Sequence, residues 1–264
     1  ERVAETRQKV LESVYGSRLN SPSALAYLTG EGAEAPPFVA RLETLLWSQL
    51  EKAAPGGDGQ RAWFDAFARV ARSPAALEKL AGLLSGALSV PGLELHQDRR
   101  WDVVAQLNRF AAPGARERAA EEAARDKSRR AQTQAIRAEV LRPDWEAKQP
   151  WLRKVLENGS IQLADQKAAM RSLFPFEQAA LRRRFFPEFY PALKRLSKDR
   201  GNEFLDAFAE DMAPATCRAE DSAAIEKFLK GNPQLPAAPR KALRVARQEN
   251  DRCLKIRRLA ADGK

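Results

Sequence analysis

The side chains that most often carry chemistry are scarce in this chain. His96, in "HQDRRWDVVAQL", is its single histidine. A helical zinc site of the H-E-x-x-H type needs two imidazoles four residues apart with a glutamate as base, so one histidine excludes it by counting. A Ser-His-Asp arrangement would have to use His96, and no G-x-S-x-G elbow is present. Cys217 and Cys253 form no C-x-x-C pair and no disulfide framework, and neither has a general base nearby in sequence. They are expected as two separate, buried small residues. "GEGAEA" contains G-x-G without a preceding strand, and there is no P-loop. No catalytic, cofactor-binding or metal-ligating residue is therefore assigned. His96, just ahead of a helix, is expected at the rim or surface.

Cationic residues are the other chemical resource. The net charge is +10, and residues 240–264 alone hold nine Lys or Arg against three Asp or Glu. Elsewhere the signs interleave, as in "GARERAAEEAARDKSRRAQ", the pattern of a solvated helix face. "RRRFF" joins charge to aromatic rings, but on a helix Leu181, Phe185 and Phe189 share one face and leave Arg182, Arg183 and Arg184 to water. In the last helix Arg240, Arg244, Arg247 and Arg258 surround an apolar line of Leu243, Ala246, Cys253 and Leu254. Arg257, Arg258 and Lys264 complement a helix C-terminus. Without an aromatic stacking platform, nucleic-acid binding at this end is disfavoured.

The elements that must position these residues read as helices throughout. Ala, Leu, Arg and Glu dominate, and apolar residues recur at steps of three and four. Leu42, Leu45, Leu46, Gln49 and Leu50 trace one face. Trp63, Phe64, Phe67 and Val70 trace a second, and Trp101, Val104, Ala105 and Leu107 or Asn108 a third. Ser73-Pro74 reads as N-cap followed by the first helical residue. Asp98 is expected to cap the helix of Trp101, and "AAPGA" to end it. Pro143 is expected just inside "PDWEAKQPWLRKVL", with Gly159 after its end. Pro175, Pro187 and Pro191 are expected to break "FPFEQAALRRRFFPEFYPALKRL" into pieces. A final helix runs from near Pro239 to about Ala261. "GEGAEAPP" (30–37) and "APGGDG" (54–59) read as exposed loops. The count is about twelve short helices. The resulting fold class is all-α, an α-α superhelix of paired antiparallel helices in the HEAT or armadillo manner, as one solenoid domain over 1–264. No stretch reaches the roughly 20 apolar residues a membrane span needs.

Several of these segments, in their order, resemble the C-terminal helical domain of the aminopeptidase N family of zinc metallopeptidases. The resemblance rests on Arg100, Trp101 and Leu107 in "PGLELHQDRRWDVVAQL", on Asp126, on Arg142-Pro143, Lys148 and Trp151 in "RPDWEAKQPWLRKVL", and on Phe174 and Gln178. It ends in the Leu-Arg-rich closing helix "PRKALRVARQENDRCLKIRRLAA". It covers 91–264, while the helix pairs of 1–90 fit only in general character.

The resemblance implies a superhelical bowl over a separate catalytic domain, which restricts access to a zinc centre and lines the peptide cavity. It implies that 1–264 is the C-terminal part of a longer chain, not catalytic by itself, with zinc held in the parent's catalytic domain and none here. The implied partners are that catalytic domain and a peptide substrate, with no membrane. The location is expected to be cytoplasmic. Trp101 and Trp151 are expected to pack between helices, and Asp126 to pair with Arg142. The alternative is a free-standing α-solenoid that binds an acidic protein or nucleic acid through its basic last helix.

Overall fold

The computed structural model describes residues 2–16, 23–29, 37–157 and 161–262. Every regular element among them is helical. In chain order they are α1 (Arg2–Tyr15), α2 (Ala24–Leu28), α3 (Pro37–Lys52), α4 (Asp58–Val70), α5 (Pro74–Ser85), α6 (Gln97–Arg109) and α7 (Ala115–Arg125). There follow α8 (Arg129–Leu141), α9 (Trp145–Leu156), α10 (Leu163–Leu173), a single 3₁₀ turn at Phe176–Gln178, α11 (Ala179–Asp199), α12 (Asn202–Met212), α13 (Ala219–Gly231) and α14 (Ala237–Asp262). The fold is all-α, as composition and periodicity predict. None of these helices is long and apolar enough to cross a membrane.

The helices gather into two compact units. The first runs to Pro143 and contains α1 and α3 to α8; the second contains α9 to α14, with residues from Ala26 onward in α2. Within each unit, helices joined by short connections pack on their neighbours, which is the construction of an α-α superhelix. In the first, α3 packs on α4, and α6 on α4, α5, α7 and α8. Val39, Leu46, Leu50, Phe64, Phe67, Leu80, Trp101 and Val104 fill its core. In the second, α12 lies against α10, α11 and α14, and α13 against α14. Its core is aromatic: Phe185 stacks on Phe174, and Phe189 stacks on Phe208 at 5.3 Å.

The Ser73-Pro74 start falls where the sequence places it, and two further caps act in the same manner. The Ser73 hydroxyl accepts from Ala76 N with Pro74 at the first position, and Ser128 and Asp144 cap α8 and α9 in the same way. Other expectations need correction. Asp98 does not cap α6: His96 occupies the N-cap without a side-chain bond, and Asp98 pairs instead with Arg130 at 3.0 Å. Pro143 lies outside α9, whose cap is Asp144. Pro175 does interrupt the chain, but α11 runs 21 residues straight through Pro187 and Pro191. Each proline removes one helical hydrogen bond, and burial of Phe185, Phe189, Leu193 and Leu196 on one face offsets the loss. The described helices number fourteen, against an expected count of about twelve. Residues 30–36 and Gly159 lie outside the described residues.

Two faces are also revised. In α3, Leu45 is exposed and Glu43 takes the inward place. The Glu43 carboxylate accepts from the backbone N–H groups of Arg72 and Ser73 at 2.7 and 3.0 Å, which satisfies donors at the entrance to α5. In α11, Arg182 is buried, not wet. Finally, Cys217 and Cys253 are not separate thiols but a disulfide, with Cα atoms 5.5 Å apart across 36 residues of sequence. Asn250, one turn before Cys253, accepts from Cys217 N at 2.7 Å and donates to Arg218 O, so it holds the connection before α13 against α14.

Candidate functional site

Several residues that carry the family resemblance meet at helix joints, where Trp101, Lys148 and Trp151 are buried and Arg100 and Asp126 half-buried. At the first, Arg100 and Trp101 of α6 meet the end of α7. Arg100 makes a forked contact to Glu122, 2.7 Å at its shortest, and its other branch donates to Leu84 O at the end of α5. Gln97 and Arg125 complete the shell around Glu122, which is 2% exposed. Burial raises the Glu122 carboxyl, but the donors from Arg100, Arg125 and Gln97 override it and hold the group down at about 2. The Trp101 indole donates to Asp126 Oδ2 at 3.0 Å, and Asp126 Oδ1 accepts from Ser128 N at the start of α8. These bonds, led by that of Trp101, lower the Asp126 carboxyl. Asp126 therefore joins α6, α7 and α8 and does not pair with Arg142. A cavity of about 200 Å³ lies beside this joint, lined by Leu84, Ser85, Arg100, Arg118, Glu121 and Arg125.

A second joint lies in the other unit. Lys148 of α9 is wholly buried, and its Nζ donates to Leu173 O, the last carbonyl of α10, at 2.6 Å. Trp151 is buried beside it, as expected for a packing residue. Arg182 donates to Asp211 O near the end of α12 at 3.1 Å. Burial lowers the Arg182 guanidinium to about 10, against the pull of Asp211 and Asp221.

These joints share one device. The last carbonyls of a helix have no partner within it and carry partial negative charge. Here long polar side chains from neighbouring helices supply the donors. Arg100 serves α5, Gln106 the end of α4 through Arg69 O and Ala71 O, Lys148 α10 and Arg182 α12. Arg240 binds Asn232 O, Pro233 O and Leu235 O just after α13. Arg257 binds Tyr27 O in the last turn of α2 and Thr29 O just after it. Arg100, Arg182, Arg240 and Arg257 are thus occupied at helix ends. Gln106, Glu122 and Arg182 escaped the sequence reading because their partners lie 22 to 37 residues away.

The rest of the surface offers little reaction chemistry. His96 is exposed, and both cysteine sulfurs are in the disulfide. Among the described residues no group of three or more His, Cys, Asp or Glu is placed to hold a metal ion. The described residues therefore do not fit zinc. A groove of about 520 Å³ runs between α13 and α14, lined by Glu226, Lys230, Arg240, Arg244, Arg247 and Asp251 among others. Glu226 binds Lys230 at 2.8 Å and Arg247 at 3.4 Å, so much of the groove's charge is internally matched.

Comparison with known proteins agrees with this geometry. Residues 8–251 match the model of the ERAP1-like C-terminal domain. Aminopeptidase N of Streptomyces lividans is 31% identical over 175 residues, which are 66% of this chain and 20% of that protein. The matched region thus spans about a fifth of the length of that relative.

Proposed function

The chain belongs to the family of ERAP1-like C-terminal domains, and from that membership we propose that it is the C-terminal helical domain of a zinc-dependent aminopeptidase. In this role it covers the catalytic domain of the same polypeptide and shapes the cavity that receives the peptide. Hydrolysis itself takes place elsewhere. The family match over residues 8–251 carries the reading. The placement of Arg100, Trp101, Asp126 and Lys148 supports it, because a scaffold needs its distinctive residues at helix joints and a reaction centre needs them in a cleft. In this reading zinc is held by the catalytic domain, and among the described residues no group of three or more His, Cys, Asp or Glu is placed to hold it.

The test is the coding sequence upstream of Glu1 and the enzyme it specifies. The proposal expects an H-E-x-x-H pair in frame, with a more distant glutamate ligand, and chelator-sensitive release of N-terminal residues by the whole product. An upstream frame without that motif, or a product that leaves aminoacyl nitroanilides intact, would overturn it.

A further inference from the structure

Helix α14 has a second face that the fold leaves unused. Of its 26 residues only Pro239, Leu243, Asn250 and Cys253 are buried. On the opposite side Lys241, Val245, Gln248, Arg252, Lys255 and Leu259 are all exposed. Their steps are four, three, four, three and four, which average close to one helical turn, so they form one straight line about 27 Å long. Val245 and Leu259 are 48% and 61% exposed, two of the five exposed large aliphatic residues among the described residues. Arg244 stands beside the line and is exposed too.

The cations here behave differently from those at the joints. Arg252 pairs with Glu249 at 2.8 Å. Lys241, Arg244 and Lys255 make no ion pair and cap no helix end among the described residues. No acidic residue falls on the line itself.

We infer that this face of α14 is a docking surface for an acidic amphipathic helix of another polypeptide segment, one with leucine-type residues at steps of three and four and glutamate or aspartate beside them. Charge selects the occupant. A second copy of α14 would set cation against cation, so self-association through this face is opposed. The aliphatic residues decide between protein and nucleic acid: Val245 and Leu259 match side-chain knobs, whereas α14 contains no aromatic ring for a base to stack on. The alternating steps of four and three are those at which one helix meets another along a shared seam. This inference stands independently of the aminopeptidase reading.

The experiment uses the 264-residue chain and a fluorescently labelled 21-residue helical peptide with leucines at alternating steps of three and four flanked by glutamates. Anisotropy titrations run in parallel with polyglutamate of equal length and with a 20-base-pair DNA duplex. The leucine–glutamate peptide should bind most tightly. K241E/R252E/K255E, with unchanged circular dichroism, should weaken it about tenfold or more, since three exposed charge contacts are lost and reversed. V245A/L259A should weaken that peptide and leave polyglutamate unaffected. Equal binding of polyglutamate, indifference to V245A/L259A, tighter binding of the duplex, or no saturable binding would each overturn the inference.

Discussion

Replacing Glu122 by Gln tests whether the Arg100–Trp101 joint is structural. In the folded protein the carboxyl lies at about 2, against an ordinary value of 4.5. A folded value below the unfolded one means that the contribution is complete above about pH 4.5 and is lost as pH falls toward 2. The interval corresponds to about 3 kcal/mol. Because the Arg100 and Arg125 side chains are 23% and 50% exposed, solvent screening reduces this to about 2–3 kcal/mol. The amide keeps the shape of the site but turns an N–H group toward cationic donors, and Arg100 loses its charge partner. Urea titrations followed by circular dichroism should show E122Q destabilised by about 2–3 kcal/mol at pH 7. The gap to wild type should narrow steadily between about pH 4.5 and 2. A loss below about 1 kcal/mol at neutral pH, or one that stays constant down to pH 2.5, would refute the reasoning.

Other expected outcomes are shorter to state. C217S should cost about 4 kcal/mol, because the bond closes a 36-residue loop. Thiol titration of the unfolded wild type should detect two sulfhydryls only after reduction. F189A removes a fully buried ring that stacks on Phe208 and should lower stability by about 3–5 kcal/mol in thermal or urea unfolding. G92A should destabilise by at least about 1 kcal/mol, because Gly92 has φ +77° and an added Cβ would lie 2.4 Å from Gly56 N.

The sequence reveals features that depend on neighbours along the chain. Ser73-Pro74 marks a helix start because cap and first turn are contiguous. Phe64, Phe67 and Val70, or Phe185 and Phe189, mark buried faces because helical periodicity alone brings them together. What stayed hidden depends on distant partners. Glu43 looks like a surface charge until the Arg72 and Ser73 backbone amides are seen to need it. Arg182 lies in a run of three arginines whose burial only α12 explains. Pro187 and Pro191 look like breaks because sequence cannot weigh the aromatic packing that keeps α11 continuous. Cys217 and Cys253 carry no spacing signature, and the fold brings them together where Asn250 ties the connection before α13 to α14. The candidate site follows the same rule. Trp101 and Lys148 are legible as family residues, but their roles as an indole tie to Asp126 and a cap on Leu173 O are set by the fold.

The most direct measurement of the central claim is aminopeptidase turnover by the purified 264-residue chain on leucyl and alanyl nitroanilides, with zinc supplied and then chelated. A folded scaffold domain releases no nitroaniline above the protein-free rate under either condition. Zinc-dependent release, abolished by the chelator and retained after the protein is separated by size from contaminating peptidases, would contradict the assignment of hydrolysis to another domain.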